Sequence, residues 1–479
     1  MMKKCFKTLA VIFSAAFAGS MLAACTRDLP DENYEANISP DKNASGKLVI
    51  STPVSQEEQN MILGIAELFN EEFPNVEVEL KPFSGEVAPT IANWFNAERV
   101  NPGTMPDIFW TTSFDMLVLS DKHVLLNLDG YIQAEEAAGT FDTDDYYAEF
   151  WRLGQDGFNG GQLMVPRTAD KVVTHINKKI FEDCFKEVPD DELPFTPQSG
   201  TKIPANGWTW DEFKETCRAL RTYYDETGRE NEYLVNSYMT WEAVYNPIFE
   251  SFGAEVFDEN GDFALDSEAG KAALDCMKEM QDERWIAPLN TASADFVGGK
   301  AAMMFHSQAS SIIRQGMQNS LPEGSDVKDY YDVTTFPLIM DNNTPKVGGG
   351  ISGYSVFVNS KNKDYAWQFL KLLLSKEGQN LITEKGNSNY APIRVDMADP
   401  KNPENLWGVG YEDINLEAYT WGAEYTCATE FVAVHNPEYA KDLMNCMEGL
   451  ILNYVDNDNY TYETAMQKCA SQIAAYLSM

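Results

Sequence analysis

Basic residues are scarce: 36 Lys and Arg stand against 74 Asp and Glu, giving a formal net charge of −38 over 479 residues. Nucleic-acid binding depends on a basic face that releases counterions from phosphates, so this balance argues against such a partner. Histidine is scarcer still. The four (His123, His175, His306, His435) stand far apart without HExxH or other ligand spacing, which disfavours a transition-metal enzyme. No Cys-x-x-Cys pair occurs, so zinc knuckles and dithiol redox centres are absent. No Gly-x-Ser-x-Gly marks a nucleophile elbow. Past the N-terminus there is no long apolar run, no internal repeat and no low-complexity tract. Neither metal nor cofactor is expected.

What is present is a large apolar content. Hydrophobic residues make up 44% and aromatics 12%, too much for a disordered polyanion. The length suits two or three domains, or one two-lobed body.

The N-terminus carries the most specific local signal. Lys3, Lys4 and Lys7 precede an uncharged, apolar and small run, Leu9–Ala24, of 16 residues, shorter than the roughly 20 needed to span a bilayer. It ends in Met21-Leu22-Ala23-Ala24-Cys25, which resembles a bacterial lipobox. The resemblance implies cleavage after Ala24, a diacyl or triacyl anchor on Cys25, and a flexible tether over residues 25–46. An ordinary secretory signal with an incidental cysteine is the alternative. Loss of residues 1–24 removes three lysines and no acid, so the mature charge is −38 − 3 = −41. Six cysteines then remain (184, 217, 276, 427, 446, 469), and either buried thiols or disulfides are compatible with their wide spacing.

Periodicity outlines alternating elements. Lys47–Ser51 reads as a strand, and Met61, Ile65, Leu68 and Phe69 as the apolar face of a helix over 56–73. Val76–Leu80 alternates as a second strand, and Pro106–Trp110 forms a buried third. This order predicts a parallel sheet wound with helices. Thr209 and Glu212 spell a capping box, and residues 270–280 and 359–374 read as helices ahead of a mostly helical C-terminal third.

Seven stretches in fixed order resemble the extracellular solute-binding proteins of ATP-binding-cassette sugar importers, the family that includes maltose-binding protein. They are Gly46–Leu80, the Pro-Asp strand and helix of Met105–Ile132, Leu163–Asp183 with His175-Ile176-Asn177-Lys178, Trp208–Leu220, Phe296–Gln308 with its Gly-Lys-x-Ala-Met, Lys363–Asn380 and Thr461–Ile473. The resemblance implies two α/β lobes of the periplasmic-binding-protein kind (type II), joined by three crossing segments near 169–172, 349–353 and 390–393. It implies lobes of 47–169 with 354–390, and 173–349 with 393–479. Gly348-Gly349-Gly350 is expected to absorb hinge motion. The same run formally spells a dinucleotide fingerprint through Gly348, Gly350 and Gly353, but a strand-like segment follows where a helix is required.

Sugar sites combine aromatic faces with carboxylates and amides that grip hydroxyls. The resemblance places Trp110 as a stacking ring, with core packing the competing role. It makes Asp170 a hydroxyl-gripping acid, with a solvated hinge acid the alternative. Trp241, Glu242 and Tyr245 are expected to supply second-lobe contacts, with at least one of them structural. The family's Gly-x-Trp after Ala-Met is missing; His306 and Gln308 stand there instead, and Trp421 is a further candidate. The implied function is capture of a carbohydrate by a monomer held at the outer face of the cell membrane, next to the importer's permease. A surface-anchored glycoside hydrolase using two carboxylates is the alternative.

Cys25→Ala is expected to leave residues 1–24 uncleaved and the chain unacylated. Mass spectrometry checks this, and an unmodified residue at another N-terminus of the mature protein would contradict the anchor.

Overall fold

The computed structural model describes residues 34–158, 160–258, 260–288, 295–340 and 345–478. The lipobox and Cys25 lie outside them. The chain divides into Met1–Glu35 and Ala36–Met479, and all that follows concerns the second unit. No helix among the described residues is long and apolar enough to cross a membrane.

Among the described residues, twelve strands form three sheets. β1 (Gly46–Pro53), β2 (Val76–Phe83), β3 (Ile108–Thr112), β4 (Val165–Pro166) and β11 (Ser352–Val356) make the first, in the order β2-β1-β3-β11-β4. β7 (Val235–Asn236), β8 (Met303–His306), β6 (Val173–Asn177) and β9 (Tyr331–Thr335) make the second, in the order β7-β8-β6-β9. Between them, β10 (Val347–Gly350) is flanked by β12 (Thr426–Cys427) and β5 (Asp170–Lys171). The chain leaves the first sheet through β4, β5 and β6, and returns through β9, β10 and β11.

The expected parallel sheet is only partly so. β1 pairs in parallel with β2 and β3, whereas β11 runs antiparallel to β3 and to β4. The reason is topological: β11 re-enters from the other lobe rather than through a local helical crossover.

Local rules explain the helices. Ser55 caps the helix Gln56–Glu72 by accepting from the Glu58 N–H, and Glu57 and Glu58 suit its N-terminal dipole. Met61, Ile65 and Phe69 bury its inner face against the first sheet's core. Thr209 and Glu212 form the capping box of Trp210–Glu226. The last two helices, Ala440–Val455 and Tyr462–Leu477, pack together across the polar turn Asp456–Asn459. Cys217, Cys427, Cys446 and Cys469 are buried free thiols.

The glycines of the middle crossing serve contact rather than conformational freedom. None of Gly348, Gly349, Gly350 or Gly353 has positive φ. A Cβ on Gly348 would lie 1.8 Å from the Ala243 carbonyl oxygen, and one on Gly353 would lie 2.0 Å from that of Val165. The backbone simply passes too close for a side chain. As expected, the strand β11 and not a helix follows this run.

Where the first crossing leaves the sheet, Arg167 forms a buried ion pair with Glu58, and Glu58 also accepts from the Tyr354 hydroxyl at 2.6 Å. The third crossing lies alongside: Thr168 bridges Pro392, and the Ala169 N–H donates to Ala391 at 3.0 Å. Removing one partner of a buried pair leaves an uncompensated charge, so Arg167→Met should destabilise the protein by about 3–5 kcal/mol. The double variant Arg167→Met with Glu58→Met should lose less than Arg167→Met alone. Urea unfolding of the three proteins checks the order.

Candidate functional site

The strands fix where polar side chains gather. The C-terminal ends of β1, β3 and β4 and the start of β11 converge on the crossing segments, and the ends of β7 and β8 close the second sheet on its corresponding side. Trp110 stands near the end of β3, in register with Tyr354. Its ring is half-buried beside Phe83, with centroids 6.5 Å apart, and its indole N–H has no partner.

Asp170 pairs with Gly350 across β5 and β10. Its carboxylate accepts from the Thr168 hydroxyl at 3.0 Å and from Ser352 at 3.5 Å. Burial pushes its pKa up to about 6, against the opposing pull of Arg167. Ser352 in turn pairs with Thr112, two residues beyond Trp110 on the same face of β3. The backbone thus links Trp110 and Asp170 through two strands. A cavity of about 550 Å³, lined by Ser55, Gln56, Arg167, Ser311, Gln315 and Tyr390 among others, opens at the first crossing through Arg167; neither Trp110 nor Asp170 lines it. That volume is within the range of small-molecule sites.

The second sheet brings together Trp241, His306 and Gln308. The rings of Trp241 and His306 lie 5.3 Å apart, and the Gln308 backbone N–H donates to His306 Nδ1 at 3.0 Å. The Tyr419 hydroxyl donates to the Gln308 carbonyl at 2.7 Å and lies 3.1 Å from Ser310 Oγ, bracing the loop from beneath. Tyr238, absent from the sequence-based candidates, stands 51% exposed with its ring edge-on to His306 at 6.4 Å. Its only sequence signal was its place three residues before Trp241.

Glu242 opens the helix Glu242–Ser251. Burial first, then the nearby Glu430 and Glu448, pushes its pKa up to about 7. Glu430 is itself buried, held by the Ser113 hydroxyl and by the Thr429 N–H at 3.0 Å. Nothing in the sequence marked it, because its role comes only from the meeting of the chain's C-terminal part with the end of β3.

One candidate is corrected, and a second is placed apart from the others. Tyr245 is completely buried, its ring 5.7 Å from Phe249, and packs in the core of the second lobe. Trp421 is partly exposed but sits over Gly207, and its carbonyl accepts from Lys171. Lys171 follows Asp170 on β5 and so points to the opposite face.

The family model described as bacterial extracellular solute-binding protein matches residues 54–380. The maltotriose-binding protein of Pyrococcus abyssi (strain GE5 / Orsay) is 23% identical over 390 residues, covering 76% of this chain and 71% of that protein. Among solved structures, the sugar-binding protein MalE from the phytopathogen Xanthomonas citri superposes with a TM-score of 0.69 at 14% identity, covering 90% of this chain and 97% of its own. An ABC substrate-binding protein from Listeria monocytogenes in complex with cycloalternan gives 0.62 at 16%, covering 91% and 100%. The fold is therefore that of two-lobed, type II binding proteins.

Asp170 gives a pH signature. Its carboxyl is harder to ionise in the folded chain, at about 6, than at the ordinary value of 3.8. The favourable contribution of its protonated form is therefore complete below about pH 4 and lost as pH rises through about 6. Asp170→Asn should raise the ligand-free melting temperature relative to wild type at pH 7, and the gap should close by pH 4. Paired thermal melts across that range check the sign.

Proposed function

The chain belongs to the bacterial extracellular solute-binding protein family, and from that premise we propose that it captures a carbohydrate, with an oligosaccharide as the expected ligand, in the cleft between its lobes. The observation that carries the reading is the pair of half-buried tryptophans, Trp110 near the end of β3 and Trp241 at the start of the helix Glu242–Ser251, its ring 5.3 Å from His306 at the end of β8. The Trp110 indole N–H and the Asn236 side-chain oxygen are buried without partners. Aromatic faces cover the apolar faces of sugar rings, while carboxylates and amides take their hydroxyls. Trp110 and Asp170 serve from the first lobe and hinge; Trp241, Glu242, His306 and Gln308 serve from the second. Carbohydrates also occur in the relatives' own names and complexes, which supports the ligand class.

The lobes comprise 47–169 with 354–390, and 173–349 with 393–479, and they close about the crossing strands. A monomer, tethered through an acylated Cys25 at the outer face of the cell membrane, passes its ligand to an ABC permease. The glycoside-hydrolase alternative is not favoured, because the family is one of binding proteins and the chain is no enzyme by that membership.

A thermal-shift screen over saccharides identifies the ligand, since binding stabilises by RT ln(1 + [L]/Kd). With that ligand, Trp110→Ala and Trp241→Ala should each lose about 1.5–3 kcal/mol of buried area, or roughly ten- to a hundredfold in affinity by calorimetry. Unchanged affinity in both would place the site elsewhere.

A further inference from the structure

The end of the second sheet forms a notch whose chemistry is narrower than that of a general sugar site. His306 Nδ1 accepts from the Gln308 backbone N–H at 3.0 Å. A backbone amide can only donate, so Nδ1 carries no proton and the neutral ring must carry it on Nε2. That Nε2–H has no acceptor among the described residues. Burial also lowers the pKa of His306, which keeps the ring neutral. The Tyr419 hydroxyl, bonded to the Gln308 carbonyl, holds the loop that sets this tautomer.

Asn236 is the second unusual group. It lies on β7 in register with Met304 of β8, and its side-chain oxygen is buried without a donor. His306 is two residues beyond Met304 on β8, so Asn236, Met304 and His306 share a face, and Tyr238 follows just past the end of β7. The ring contacts agree: Tyr238 and Trp241 lie 6.4 and 5.3 Å from His306. The notch thus offers one fixed N–H donor, one amide without a partner, and two aromatic surfaces. A hydroxyl would use this poorly, since it leaves the aromatic surfaces bare. An acetamido group uses all of it: its carbonyl accepts from His306, its N–H donates to Asn236, and its methyl packs on the rings.

Resting on the carbohydrate reading above, we propose that His306 and Asn236 select an N-acetylated amino sugar, with Tyr238 and Trp241 covering the acetyl methyl. Calorimetry compares the β-1,4 disaccharide of N-acetylglucosamine with cellobiose and with the deacetylated diamine. The acetylated sugar should bind about a hundredfold tighter than cellobiose, for two added hydrogen bonds. His306→Phe and Asn236→Ala should each shrink that ratio about tenfold, while His306→Gln, which keeps a donor, should recover most of it. In nitrogen-15 spectra, the His306 Nε2–H should shift on adding the acetylated sugar.

Equal binding of cellobiose and the acetylated sugar would overturn this inference and leave the carbohydrate reading intact. Tighter binding of the diamine would also overturn it, assigning selection to Glu242 and Glu430. If no saccharide in the screen stabilises the protein, both readings fall together.

Discussion

The buried pair of Arg167 and Glu58 is the constraint around which the hinge is arranged. Glu58 belongs to the first turn of a helix that packs on the first sheet; Arg167 belongs to the segment that leaves that sheet for the other lobe. Their attraction offsets the cost of burying two charges only because other groups satisfy what remains. Tyr354 donates to Glu58, the Tyr390 ring lies 5.1 Å from the guanidinium, and the Arg167 backbone is bonded at both ends, to Ser352 and to Gln379. The crossing segment therefore starts from a fixed point. Asp170, three residues on, inherits its position from that point, and its field from the same guanidinium.

The second lobe orders the loop after β8 by a different means. Beneath residues 306–310 lies a run of hydroxyls. His175 contacts the Tyr331 hydroxyl at 2.8 Å, and Tyr419 ties Ser310 to the Gln308 carbonyl. Neutral hydrogen bonds are individually modest but costly to leave unmade in a dry interior. They fix the loop without adding charge near a face where Glu242 and Glu430 already repel one another. In a chain of net charge −38, a neutral ligand avoids the repulsion an anion would meet.

Much of the architecture was legible because it follows from local rules. The apolar face of Met61, Ile65 and Phe69, the capping box at Thr209 and Glu212, and the alternation of Val76–Leu80 each depend on neighbours in sequence. What escaped depends on distant ones. The antiparallel entry of β11 was invisible because its partner strand lies more than 200 residues earlier in the chain. The glycine run looked like a flexible joint, yet two of its members are excluded from bearing a side chain by carbonyls of remote segments. Aromatic content could not separate Tyr245, which fills the core, from Tyr238, which stands open seven residues earlier, ahead of the helix. Residue type was informative about chemistry; exposure was decided by tertiary packing.

The hinge strand shows how such packing also fixes specificity of register. β5 is only two residues long, too short for its ladder bonds alone to choose one pairing. A slip by one residue would exchange the faces of Asp170 and Lys171. Asp170 would lose the Thr168 and Ser352 hydroxyls, and the buried Lys171 would lose the Trp421 carbonyl. Each error would strand a charged group without partners, which costs more than the missing bonds themselves. Opposite charges on opposite faces therefore hold this strand in place. By anchoring one face to the loop around Trp421, the lysine keeps the aspartate turned to the other.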